Sequence, residues 1–315
     1  MIELREAFAA DRDAILALRR RCFPDEDVEK QEPAYWDWEF ARGRMFVAAE
    51  GGRLVAHLGF VPQTWIIGGE TCAGMLAVDA MTDPDARRQG AFTRVAAFAR
   101  DALRESVALS TAFQIRDAVL PPMERNGWKS QLKAPVLVKV LTGFLGVPRS
   151  SSESLGEPVI TRGTPRNPGE PAELGRLSSA LLKNVSHVDR SSSFFEWRFA
   201  HPHYAIDSTE HAYVVTRRTT LRGYDTLAVA DLGWAPGCVK EGRVLLHQVL
   251  ARGRAAGIRL AAALLTMSHP ALPALVRSGF LPSPHRFRFL VNIFDERIRA
   301  SRARWALTWA DTDHL

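Results

Sequence analysis

Apolar and polar positions change their spacing several times along the first 145 residues. Alternating or unbroken apolar stretches at 2–5, 45–50, 53–62, 64–67 and 71–82 predict short strands, with Gly51-Gly52 and Gly68-Gly69 turning the chain between neighbours. Elsewhere the spacing becomes helical. Ile15, Leu18 and Cys22 share one face of a segment over 11–22 that Asp11 can cap. Phe92, Val95, Ala96, Ala99 and Leu103 share a face over 91–105. A strand at 107–115, a short helix near Gly127 and a strand at 132–141 complete the stretch. The pattern predicts an α/β chain of the α+β kind, with a mixed sheet.

The same layout returns further along. Tyr35-Trp36-Asp37-Trp38-Glu39-Phe40 resembles Phe194-Phe195-Glu196-Trp197-Arg198-Phe199, Leu76-Ala77-Val78-Asp79 resembles Leu227-Ala228-Val229-Ala230, and Arg125-Asn126-Gly127-Trp128 resembles Arg277-Ser278-Gly279-Phe280. The three matches keep their order at offsets of about 150–160 residues, the mark of a duplicated unit. A length of 315 residues accommodates two domains. Pro148, the serine run at 150–152 and Gly156 suit a linker. The expected organisation is a first domain over 1–146, a linker over 147–157 and a second domain over 158–315, opening on the strand Pro158-Val159-Ile160-Thr161-Arg162.

Composition narrows the function classes. Hydrophobic residues make up 46% and charged residues 24%, as in an ordinary globular protein with its own core. Cys22, Cys72 and Cys238 are too few and too far apart for a disulfide framework or a zinc site. The first residues lack the pattern of a signal peptide, and no apolar run reaches the ~18 residues that span a bilayer. The expectation is a cytoplasmic protein without a membrane partner. The net charge of +6 would suit nucleic acid, but the basic residues are dispersed and carry no interleaved aromatics, so a polyanionic small molecule fits better.

One segment concentrates the features such a ligand needs. Leu76 to Thr93 reads strand, turn, loop, helix, with Asp83-Pro84-Asp85 ending the strand and Gly90-Ala91 opening the helix. The first N–H groups of a helix have no internal partner and lie at the positive end of its dipole, so phosphate is a natural ligand there. Gly90 permits close backbone approach, and Arg87, Arg88 and Arg94 add charge.

Arg87-Arg88-Gln89-Gly90-Ala91-Phe92, after the turn Thr82-Asp83-Pro84, resembles the acyl-CoA-binding motif of the GCN5-related N-acetyltransferase (GNAT) superfamily. The resemblance covers most of residues 1–145, and Phe92 departs from it by filling the final Gly/Ala position. It implies two tandem GNAT-like domains, the second degenerate. Its loop, Gly233 to Gly242, lacks the arginine-glycine spacing. It further implies that acetyl-CoA is the co-substrate, held by Arg87, Arg88, Gln89, Gly90, Ala91, Phe92 and Thr93 and by the backbone of Ala80, Met81 and Thr82. Asp117 stands where members often carry a cofactor-contacting Asn.

Transfer to an amine needs a base, and the resemblance points to Asp79 on the strand before the loop. The tyrosine that protonates the leaving thiolate in many members is replaced by Met123. The expected reaction is acetyl transfer to a primary amine of a small molecule or peptide. A non-catalytic CoA sensor or scaffold, and an acyltransferase using a longer acyl-CoA or an acyl carrier protein, are the alternatives. The aromatics Trp36, Trp38, Phe194 and Trp197 read as packing anchors. His201-Pro202-His203 lacks a completing ligand, so no metal is expected. Asp311-Thr312-Asp313 reads as a solvated tail. The oligomeric state is left open.

Overall fold

The computed structural model describes residues 2–25, 28–114, 116–142, 169–298 and 303–313. The expected linker at 147–157 and the strand at 158–162 lie outside the described residues.

The first repeat runs β1 (Glu3–Glu6), α1 (Arg12–Cys22), α2 (Pro33–Glu39), β2 (Arg44–Glu50), β3 (Arg53–Ile67), β4 (Glu70–Thr82), α3 (Ala91–Leu103), β5 (Leu109–Gln114), α4 (Leu120–Arg125) and β6 (Lys129–Val140). The second runs α5 (Pro171–Leu182), β7 (His187–Val188), α6 (Ser192–Arg198), β8 (Tyr204–Ser208), β9 (Ala212–Leu221), β10 (Tyr224–Trp234), α7 (Val239–Ala255), β11 (Leu260–Leu264), α8 (Leu272–Arg277) and β12 (Leu281–Ile293). From α2 and α6 onward the two copies follow the same plan. The mixed α/β class is therefore present as expected.

Two differences from the expected elements concern strands and helices near the site. The strands expected at 53–62 and 64–67 are one unbroken strand, β3, which passes through Pro62. The aromatic run Tyr35-Trp36-Asp37-Trp38, to which no element was assigned, is a helix that Pro33 opens at its first position, where a missing N–H costs nothing.

Packing divides the chain into two compact units. One comprises Met1–Trp65, Thr71–Leu132 and Arg288–Arg302; the other comprises Ile66–Glu70, Lys133–Phe287 and Ala303–Leu315. The packing boundary is thus not the sequence boundary. In the first unit the strand order is β1-β2-β3-β4-β5, continued by the end of β12. Residues 288–293 of β12 lie antiparallel to β5. In the second unit the order is β6-β11-β10-β9-β8, with Val136 to Val140 of β6 antiparallel to β11. Part of the closing strand of each repeat, 133–140 of β6 and 288–293 of β12, belongs to the unit built by the other repeat.

The core of the first unit follows from the helical spacing of α3. Val95, Ala96, Ala99 and Leu103 are buried against Phe46, Ala48, Leu58, Met75 and Ala77 of the sheet and Leu290 of β12. In the second unit Leu245, Leu246, Val249 and Leu250 of α7 do the same against Val214, Leu227, Val229 and Ala263. Among the described residues no helix is long and apolar enough to cross a membrane.

Candidate functional site

Parallel β4 and β5 stay in register only from Gly74 with Leu109 to Ala77 with Ala112. β4 then continues to Thr82 and β5 to Gln114. The reason is local. Asp79 has φ +48°, a left-handed conformation that a residue with a side chain adopts at a cost of about 1–2 kcal/mol. It interrupts the pleat and lets the two strands part, as bulges do.

What holds Asp79 there is buried charge. Arg19 of α1 pairs with its carboxylate, both side chains being almost fully buried. Lys30 Nζ lies 4.0 Å from the same oxygen and 3.7 Å from Glu39 Oε1 of α2. On the other side, His57 Nδ1 of β3 is 2.9 Å from the Asp79 carbonyl oxygen. His57 is fully buried, and desolvation first of all holds its ring below the ordinary histidine range, hence neutral.

The chain next turns from β4 into α3, and Asp83 pins the turn. Its backbone N–H donates to the Val55 carbonyl at 2.9 Å. Its carboxylate accepts from the Asp85 N–H at 3.1 Å and from Arg21 Nε at 2.8 Å. Burial alone would raise this carboxyl; the Asp85 N–H, Arg21 and Arg53 outweigh it and hold it below the usual range. Thr82, next to it, has its carbonyl bonded by the Cys22 thiol at 3.3 Å and by Arg87 Nε at 3.4 Å. Burial raises the Cys22 thiol, so it stays protonated.

Beyond Asp83 the loop opens to solvent. Arg87, Arg88, Gln89 and Gly90 are exposed, and Gln89 Nε2 closes the loop on the Asp85 carbonyl at 3.0 Å. Arg88 at φ +64° and Gly90 at φ +79° both take left-handed conformations. A Cβ at Gly90 would meet nothing within 4 Å, so glycine is required there by conformation and not by crowding. Gly90 is the N-cap of α3 and offers no side-chain acceptor to the first N–H groups of the helix. Ala91 is buried in the core, Phe92 is half-buried and packs against it as the apolar face of α3 predicts, and Ala80 packs there too. The Thr93 carbonyl accepts from Asn126 Nδ2 at 3.3 Å, which ties α3 to α4. Met81 is 1% exposed, so its backbone alone can face a ligand.

The structure thus gathers Asp79 to Thr82 and Arg87 to Thr93 along one path from β4 into α3. Asp117 is not joined to that path by any contact among the described residues; it is 94% exposed and lies 3.5 Å from Arg288. Met123, where the resemblance leads one to expect a tyrosine, is buried in the core and supplies no proton. Contributors that escaped the sequence reading include Arg19, Arg21, Lys30, Arg53, His57 and Asn126. Only Asn126 had a signal, its place beside Gly127.

The second repeat repeats the parting of strands without the loop. β10 and β11 stay in parallel register from Thr226 with Leu260 to Val229 with Ala263, and β10 bulges between Val229 and Asp231. There the turn into α7 is packed shut: a Cβ on Gly242 would fall 2.5 Å from the Trp234 ring. Asp231, past the bulge, accepts from Arg190 at 3.1 Å, from the Tyr213 hydroxyl at 3.0 Å and from Thr308 at 3.1 Å. Asp311 is fully buried beside them, which corrects the expectation of a solvated tail. Its carboxylate neutralises Arg190 at 2.7 Å and accepts the Thr308 N–H at 2.7 Å. Phe194 is buried as an anchor, with Arg190 stacked 4.5 Å over its ring. Among the described residues no group of His, Cys, Asp and Glu could hold a metal ion.

A family model described as an acetyltransferase (GNAT) domain matches residues 3–128. No curated protein matches the chain. Solved structures share the fold over nearly all of it. A probable N-acyltransferase from Enterococcus faecalis covers 94% of this chain and 73% of its own, at 12% identity and TM-score 0.63. A GCN5-related N-acetyltransferase from Kribbella flavida covers 94% and 71%, at 14% identity and TM-score 0.65. One from Anabaena variabilis covers 93% and 73%, at 12% identity and TM-score 0.65. The matched stretch, residues 3–128, contains both the parted strands and the arginine-glycine loop, so this part of the chain is similar to an acetyltransferase (GNAT) domain.

Proposed function

We propose that the chain is an N-acetyltransferase that takes acetyl-CoA as co-substrate and a primary amine of a small molecule or peptide as acceptor. The observation that carries this reading is the exposed loop from Arg87 to Gly90 at the start of α3, directly beyond the point where β4 leaves β5. Arg87, Arg88 and Arg94 supply positive charge, and the N–H groups at the head of α3 suit a pyrophosphate. The backbone of Ala80 to Thr82, on the stretch of β4 past its pairing with β5, suits the amides of a pantetheine arm. The match of residues 3–128 to an acetyltransferase (GNAT) domain and the shared fold of the solved structures support an acyltransferase; the acetyl group and the amine are our assignment.

The chemistry then rests on positioning and on polarisation of the thioester by backbone N–H groups. Asp79 is committed to Arg19, with Lys30 beside it, and would have to release them to take a proton. We assign it the part of holding the parted strand. The absence of an acid at Met123 is tolerable, because a thiolate leaves readily.

Calorimetry with acetyl-CoA tests the loop. The wild type should bind one equivalent, and Gly90→Glu, which sets a carboxylate where phosphate is expected, should bind none. Equal behaviour of the two would sink the proposal. Thiol release in a panel of amines then separates an enzyme from a CoA sensor.

A further inference from the structure

The hydrogen bond from His57 to Asp79 does more than steady a strained residue. In a planar trans peptide the C=O of one residue and the N–H of the next point in opposite directions. The Asp79 carbonyl is turned toward β3, where His57 Nδ1 meets it at 2.9 Å. β3 and β5 flank β4 on opposite sides. The Ala80 N–H therefore points away from β3, to the side on which β5 has already left the register at Ala77 with Ala112.

The ring itself is held. Phe40 stands edge-on to it at 6.0 Å, and Gly59 passes so close that a Cβ there would lie 3.2 Å from His57 Cε1. A carbonyl can only accept, so Nδ1 carries the proton and donates it. Nε2 is then the acceptor nitrogen; it is buried and has no hydrogen-bond partner among the described residues. A buried acceptor left unpaired is costly, and a core leucine would avoid the cost. The donor at Nδ1 is what a leucine could not provide.

We infer that His57 is a positioning residue that aims the Ala80 N–H at the thioester carbonyl of the acyl donor, so that the carbonyl is polarised before the amine attacks. This rests on the reading of the site as an acetyl-CoA site. His57 touches no reacting atom; it acts through the 79–80 peptide.

Isotope-edited infrared spectroscopy of acetyl-CoA labelled with carbon-13 at the carbonyl reads this polarisation directly. Bound to the wild type, the carbonyl band should fall below its free position. His57→Leu, which fills the space without a donor, should return the band toward the free position. It should also reduce the preference for acetyl-CoA over CoA by roughly fivefold, the worth of one neutral hydrogen bond. His57→Asn, whose amide nitrogen stands near the place of Nδ1, should keep the shifted band. If His57→Leu does not fold by circular dichroism, His57→Met carries the same test, because its flexible apolar chain fills irregular space. One band position in the wild type and in both the apolar and Asn variants, with acetyl-CoA bound, would overturn the inference alone. Failure of the wild type to bind acetyl-CoA would overturn the site reading, and this inference with it.

Discussion

Arg190 and Asp311 are separated by 121 residues of sequence and joined by a buried hydrogen bond of 2.7 Å. Burial alone would lower the guanidinium, but Asp311 and Asp231 raise it above its ordinary range, so it stays charged in the core of the second unit. Removing one member of such a group is costly because it strands the others. Arg190→Met should destabilise the protein by about 3–5 kcal/mol. Replacing all three by Met and two Leu should recover much of that loss, because no charge is then left buried. Urea denaturation of the single and triple variants checks this; a triple variant weaker than the single one would refute it.

Buried neutral histidines set an acid limit on stability. His269 accepts the Ala271 N–H on Nδ1 at 3.1 Å, and burial pushes its pKa down to about 3. His57 and His187 are shifted in the same direction, also by burial. The unfolded chain binds these protons near pH 6.5, whereas the fold refuses them. The stabilisation is therefore complete above pH 6.5 and is lost as the pH falls below it. For His269, whose folded pKa is about 3, the loss should approach about 1.4 kcal/mol per pH unit between the two pKa values. His269→Asn keeps an acceptor for Ala271 without a titrating ring. Its denaturation midpoint, followed from pH 7 to pH 5, should decline more gently than that of the wild type.

The difference between what the sequence disclosed and what it hid is one of range. The loop from Arg87 to Ala91 and the helix behind it are local: a turn-forming Asp-Pro, a glycine, a helical stripe and a charge cluster lie within one short stretch. Leu76 to Thr82, by contrast, reads as one plain strand. Nothing in its composition announces that Asp79, a non-glycine, is left-handed. That conformation is imposed by Arg19 and His57, which reach it from α1 and β3. Asp311 was misread for the same reason, since its partners Arg190 and Asp231 lie far away in sequence. The strand at 132–141 was legible as a strand, but its partner β11 was not, because periodicity reports a face and never a neighbour.

Arg88 offers a test of strain kept for binding. At φ +64° on an exposed loop it occupies a conformation that favours glycine. Arg88→Gly should raise stability by about 0.5–1 kcal/mol, the relieved strain being partly offset by the freer unfolded chain. On the proposed function the same change should weaken acetyl-CoA binding, because it removes a cation from the loop assigned to phosphate. Arg87→Ala is the control: its backbone is extended, at φ −64°, so it should lose affinity with no gain in stability. Thermal unfolding and calorimetry on the two variants separate the effects.

Asp79 can be tested for its two possible roles by one substitution read in two ways. Asp79→Asn keeps the shape of the side chain but leaves Arg19 and Lys30, both buried, short of a counter-charge. If Asp79 holds the parted strand, the variant should lose about 3 kcal/mol of stability. Its kcat/KM should fall by the same factor at every pH, so that the acidic limb of the profile keeps its place. If Asp79 is instead the base, that limb should vanish, because the group whose ionisation it reports is gone. We expect the limb to persist. Arg19→Met provides the independent check, since it removes the Arg19 pairing while leaving the Asp79 carboxylate, with Lys30 still beside it. A loss of stability close to that of Asp79→Asn would identify the pair as the anchor, whereas an increase in turnover would show that Arg19 restrains a base.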